Sequence, residues 1–237
     1  MKVQTVLALL APTASLAMSS FQWRFTKNTV KSVPQITFPF QIVAAAHDKQ
    51  WYFASQYGFT NKAMGYCGIQ PQADGPNGQS RIRGVFSSFT AGTTTDDPNC
   101  SDGADGGPGV SCGFVFDHDY TRALNIVVEK VSGDKWAGKA VDTTTGKQTH
   151  IGSWTLPRGS GDIDLNGHSN FVERYLNNEQ PCEKIPRIDV KFFNPISNVT
   201  GAGTSSLSGV KEYDFCKGKK NFKATPFNGG LQISMGF

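Results

Sequence analysis

Segments in which apolar and polar residues alternate recur along this 237-residue chain, and no other feature constrains its fold as much. They fall at 49–58, 65–70, 81–89, 136–138, 151–154 and 171–175, rich in aromatic and β-branched residues. A period of two sends successive side chains to opposite faces of a strand, so these segments read as half-buried strands and not as helices. Their number predicts two packed sheets: an all-β, jelly-roll-like antiparallel β-sandwich forming a single domain.

Strands are expected near 36–46, 49–58, 63–70, 81–89, 112–117, 121–130, 134–143 and 147–155, with a short leading strand or arm within 19–35. Ser132, Gly133 and Asp134 carry turn chemistry and predict a hairpin over 121–143. Residues 90–111, crowded with Thr, Asp and Gly, read as one long surface loop. Beyond Pro157 the pattern loosens. A strand or short helix is expected at 171–176, a strand at 187–193, and two more near 205–213 and 230–236.

The N-terminus joins Lys2 to a short apolar run and then to small residues, the grammar of a secretory signal peptide over 1–17, which leaves 18–237 as the domain. No later stretch has the roughly 20 apolar residues of a membrane-spanning helix. The protein is therefore read as secreted and extracellular. Its 23 basic and 19 acidic residues make no dense basic stripe, so no nucleic-acid partner is expected. Five cysteines in such a compartment suggest two disulfides, Cys100–Cys112 and Cys182–Cys216, with Cys67 left over. Asn198 and Asn99 head Asn-x-Ser/Thr sequons and are candidate glycosylation sites.

The ordered series Tyr66, Gly68, Ile69 and Gln70; Val85, Phe86 and Ser87; Trp136, Gly138 and Asp142; Ile151, Gly152 and Trp154; and Phe171, Val172 and Glu173 resembles a family of secreted β-rich domains of unknown function. That family is often found beside carbohydrate-active modules. The similarity spans roughly residues 49 to 175 and implies a jelly-roll-like sandwich with a glycan connection. It supplies no catalytic residues.

Aromatic faces that stack on sugars and planar polar groups that pair with hydroxyls are what a glycan site needs. Trp51, Tyr52 and Tyr66 are candidates for the first, and Gln70, Arg81 and Arg83 for the second, the arginine forks suiting uronic carboxylates. Asp162, Asp164, Asn166 and Glu173 match the ligand spacing of a calcium loop, although no amphipathic helix precedes them. Calcium is the one cofactor this spacing suggests. The acidic run Asp96, Asp97, Asp102 and Asp105 is a second place for that ion. Asp117, His118 and Asp119 form a possible acid–base group. No His spacing signals zinc, and there is no Gly-x-Ser-x-Gly elbow or phosphate loop. The catalytic residues of an enzyme are thus not identified.

The function read from these features is recognition of an extracellular polysaccharide or glycan. Two alternatives are a lyase or glycoside hydrolase acting on an acidic glycan, and a protein that engages a host or cell surface without sugar chemistry. An enzyme would show a cleft where Arg converges with Tyr, His or acids, and a binder would show open aromatics without a perturbed carboxylate.

Overall fold

The computed structural model describes residues 17–175 and 181–237. In chain order the strands are β1 (Ala17–Thr26), β2 (Ser32–Val33), β3 (Gln35–Ala44), β4 (Trp51–Gly58), β5 (Met64–Gln72), β6 (Arg81–Ser88), β7 (Cys100–Ala104), β8 (Gly107–Asp117), β9 (Leu124–Ser132), β10 (Lys135–Asp142), β11 (Gln148–Thr155), β12 (Ile163–Asp164), β13 (His168–Arg174), β14 (Ile188–Phe193), β15 (Thr204–Glu212), β16 (Lys223–Phe227) and β17 (Gly230–Met235). One 3₁₀ turn, Cys182–Lys184, is the helical content of the described residues.

Two antiparallel sheets form the all-β sandwich. The larger runs β15-β1-β13-β4-β5-β6-β8-β7, the smaller runs β11-β10-β9-β3-β14-β17-β16, and β2 with β12 makes a separate ribbon. The hairpin expected around Gly133 is β9–β10. The stretch expected as a short leading strand or arm supplies β1, paired on both sides by β13 and β15. The signal-peptide reading falls largely on residues 1–16, outside the described residues, and its expected cut lies at the start of β1.

The core lies where inward faces meet. Alternation in β4 sends Trp51, Phe53 and Tyr57 inward, and all three are fully buried. Aromatic contacts then join the sheets: Trp23 of β1 meets Phe38 of β3 at 5.4 Å, and Phe21 of β1 meets Phe192 of β14 at 4.9 Å. Phe86 of β6 stacks on Trp154 of β11 at 4.5 Å with the rings 11° from parallel. Each such side chain contributes about 1.5–3 kcal/mol through removal from water. Cys67 is also inward and buried, and burial pushes its thiol pKa up, so it packs as a small inert group.

One expectation is corrected. Residues 90–111 are not a single loop, because Cys100–Ala104 and the first part of β8 pair as an edge hairpin. Asp105 and Gly106 form its tip, with φ of 49° and 76°. Positive φ at both central residues is the requirement of the type I′ turn, one of the two-residue turns that match strand twist, and Asp-Gly suits it. Ala104, Val110 and Cys112 are the buried residues of the hairpin. The disulfides are Cys100–Cys112, across this hairpin, and Cys182–Cys216.

Candidate active site

The outward face of the larger sheet should be wet, yet its centre is not. Tyr52 and Ala54 of β4, Tyr66 of β5 and Val85 of β6 are buried there, forming a second apolar cluster with Phe89, Phe171 and Tyr175 around it. The sheet curls over on itself. The Tyr66 hydroxyl on β5 donates to Asp105 Oδ1 at 3.1 Å, although Asp105 sits on the edge hairpin beyond β6. The result is a groove of two lobes, of about 450 Å³ and about 280 Å³. Tyr66, Asp105, Phe171 and Glu173 line both lobes and so mark their junction.

Local register explains how the groups meet. In β13, Ser169, Phe171 and Glu173 share the groove face, and Glu173 lies opposite Tyr52 of β4 and Ala17 of β1. At one end Ser169 donates to Gln56 Oε1 at 2.7 Å. Rings close the floor: Tyr52 packs edge-on against Tyr66 at 5.4 Å and Phe171 at 5.6 Å.

Removal from water among these rings raises the Glu173 pKa from the ordinary 4.5 to about 7, and the negative charge of Asp105 adds to the rise. The Tyr52 phenol is buried with no hydrogen-bond partner among the described residues. Burial first, then the charges of Tyr66, Cys67, Asp105 and Glu173, drive its pKa upward. It therefore keeps its proton and has an unspent donor beside two carboxyl groups. Burial likewise holds Tyr66 protonated. A proton-holding acid, a second carboxylate and a free donor on one wall are parts that acid–base chemistry needs.

Among the sequence candidates, Tyr52, Tyr66, Gln70 and Arg83 all line the smaller lobe. Trp51 does not: one residue from Tyr52 on a strand, it faces the core and is 0% exposed. Arg81 lies outside the lining, donating to the carbonyls of Ala73 at 3.0 Å and Asp74 at 3.2 Å. Tyr52 and Tyr66 are only 4% and 6% exposed, so their rings offer no open platform.

The four residues with calcium-loop spacing are not brought together. Asp162 pairs with Lys130 at 2.5 Å, Asp164 accepts the Asn166 backbone N–H at 2.8 Å, and Glu173 faces the groove. In the acidic run, Asp96 pairs with Lys135 at 2.8 Å, Asp97 accepts from Ser153 at 3.0 Å, and Asp105 takes the Tyr66 phenol. No cluster of three or more His, Cys, Asp or Glu poised for a metal occurs among the described residues. His118 is buried in a different depression, 3.7 Å from Asp142. Asn198 is exposed and Asn99 partly so. Sequence reasoning gave both Asp105 and Glu173 another role, as calcium ligands. The available signals were the Asp105-Gly106 turn and the acid sharing a strand face with Phe171.

Fold and groove together define an antiparallel β-sandwich whose larger sheet carries a carboxyl-bearing groove on its open face. No family model matches the chain, and no curated protein matches it. Among solved structures, scytalido-glutamic peptidase with a transition state analog inhibitor is similar in fold. That likeness has a TM-score of 0.50 at 12% identity and covers 94% of this chain and 100% of that one. SCP-B, an eqolisin-family peptidase in a complex with the tripeptide Ala-Ile-His, gives 0.41 at 8% identity, covering 94% of this chain and 100% of that one. A CBM2 module of Lactobacillus casei BL23 phage J-1 evolved Dit gives 0.28 at 11%, covering 62% and 63% of the two chains. At such identities the likeness is one of fold.

Proposed function

We propose that this protein is an extracellular hydrolase of polypeptide chains in which Glu173 is the proton donor. The observation that carries the reading is the Glu173 carboxyl, which sits on the open face of the sheet and holds its proton up to about pH 7. A lectin face would offer open aromatic platforms, whereas Tyr52 and Tyr66 are shut beneath the groove. The fold likeness to a protein named a glutamic peptidase supports the choice of a peptide bond. The two disulfides suit an oxidising compartment, and no described helix is long and apolar enough to cross a membrane.

The chemistry balances with the groups present. The Asp105 carboxylate takes a proton from water as the water oxygen attacks the substrate carbonyl carbon. Negative charge gathers on the carbonyl oxygen as the tetrahedral intermediate forms. Glu173 gives its proton to the leaving nitrogen as the C–N bond breaks, leaving an acid and an amine. The proton on Asp105 then passes to Glu173, directly or through solvent, and the pair is reset. Tyr66, bonded to Asp105, is a positioning residue.

Arg83 in the smaller lobe favours a second reading, cleavage of an acidic polysaccharide by the same two carboxyl groups. The two readings separate in one assay. Wild type and Glu173→Gln are incubated with unfolded protein and with polygalacturonate from acid to alkaline pH. The expected result is peptide cleavage that falls as pH rises through about 7, with kcat/KM roughly a thousandfold lower in the variant. A variant as active as wild type, or cleavage of polygalacturonate alone, refutes the peptide reading.

A further inference from the structure

Arg83 sits in the smaller lobe without an ion-pair partner among the described residues. It lies on β6 opposite Gln70 of β5, and its hydrogen bond among the described residues goes to Gln70 Oε1 at 3.2 Å. The ion pairs of the described residues engage Arg122 but not Arg83. Its guanidinium lies flat on the sheet. The guanidinium lies across Gly113 of β8 so closely that a Cβ there would come within 2.2 Å of a guanidinium nitrogen and 2.3 Å of its central carbon. Glycine at 113 is what lets the flat group lie on the sheet. The guanidinium is thus half-buried, oriented by Gln70, and has donors left over.

Neither neighbouring carboxyl group makes an ion pair with it. Asp105 and Glu173 line the same lobe. Asp105 is taken by the Tyr66 phenol, and Glu173 keeps its proton up to about pH 7. A planar, permanently charged fork with unspent N–H groups matches a carboxylate better than any neutral partner.

We infer that the smaller lobe is a carboxylate-reading subsite, in which Arg83, held by Gln70 over Gly113, selects polypeptide substrates carrying an acidic side chain near the bond presented to Glu173. The inference rests on the polypeptide-hydrolase reading for its substrate, and on geometry alone for the subsite. Arg83 is a specificity-determining residue here and takes no part in proton transfer.

The test reads binding without turnover. Labelled hexapeptides with one Glu walked through the positions, and a matched set with Gln, are titrated by fluorescence anisotropy into the Glu173→Gln protein. The best Glu peptide is expected to bind at least tenfold more tightly than its Gln partner. Adding Arg83→Gln should bring the two within about twofold, because a neutral amide cannot replace the fork. Adding Gln70→Glu instead should do the same with Arg83 still in place, by supplying a carboxylate from within. Equal affinities in the starting protein, no binding of either set, or a preference that survives both substitutions would overturn the subsite. Binding of an oligogalacturonate in place of every peptide would overturn the polypeptide assignment. If the preference holds while wild type cleaves no peptide, the hydrolase reading fails and the subsite stands.

Discussion

Replacing Glu173 by Gln should make the protein more stable at neutral pH, and the gain should vanish in acid. The reason is linkage. In the unfolded chain Glu173 ionises near 4.5, while in the folded protein it holds its proton to about 7. Below 4.5 both states are protonated, and the group contributes no pH dependence. Between those values the folded state binds more protons than the unfolded state, so stability falls as pH rises. Above about 7 both are ionised and the loss is complete. Two and a half pH units at about 1.4 kcal/mol each give roughly 3.5 kcal/mol, which partial solvent screening trims to about 2–3 kcal/mol. Gln has the same shape and no proton to lose, so the variant escapes the penalty. Urea unfolding of wild type and Glu173→Gln at pH 4, 5.5, 7 and 8.5 measures the difference directly. It should be smallest at pH 4, grow through the middle values and level off. A difference constant across the series, or one that shrinks as pH rises, would show that Glu173 is not held protonated and would remove the proton donor from the mechanism.

Three further outcomes follow from the same structure. The double change Cys100→Ser and Cys112→Ser opens a cross-link of sequence separation 12 and should cost about 2–3 kcal/mol in chemical unfolding. Because the hairpin it pins carries Asp105, peptide cleavage should fall along with stability, and full activity would mean that Asp105 is held by other means. Lys220 is fully buried, with its ammonium 2.9 Å from Asp214 and 2.7 Å from the Tyr213 carbonyl. Lys220→Ala strands the buried Asp214 carboxylate and should cost about 3–5 kcal/mol, much of it recovered by adding Asp214→Ala. A double variant no better than the single one would refute that account. Phe86→Ala, which unstacks the fully buried Trp154, should cost about 3–5 kcal/mol by thermal unfolding, and a cost under about 1 kcal/mol would place Phe86 outside the core.

Much of the fold was legible because alternation is a physical signature of a two-faced strand. The segments at 49–58, 81–89 and 187–193 became β4, β6 and β14 with small shifts at their ends. Where alternation was diluted, the reading failed for a stated cause. β7 is Cys-Ser-Asp-Gly-Ala, a strand at the sheet edge that buries only its last residue, so no apolar rhythm marks it. Its signal lay in the Asp105-Gly106 turn, hidden among other glycines and aspartates. β16 was missed in the same way, as a short edge strand containing Pro226.

The site was harder to read because the groove inverts the usual rule for an outer sheet face. Alternation told correctly that Trp51 and Tyr52 point to opposite sides, but it cannot say which side carries the second sheet. It also cannot say that the open side curls until Tyr52 and Tyr66 are as buried as core residues. That curl brings Asp105 from the edge hairpin to Tyr66, and it gives Glu173 a dry setting that no local pattern announces. Seen along the chain, Glu173 is one acid among 19 in a plausible calcium-loop spacing. Seen across the sheet, it is the carboxyl placed where strands from residues 17, 52 and 66 converge with a turn at 105. A site assembled from such separated stretches has no sequence motif of its own. What the sequence does hold is the requirement for each part: alternation that sends Glu173 outward beside Phe171, an Asp-Gly turn, and a glycine at 113 that makes room for Arg83.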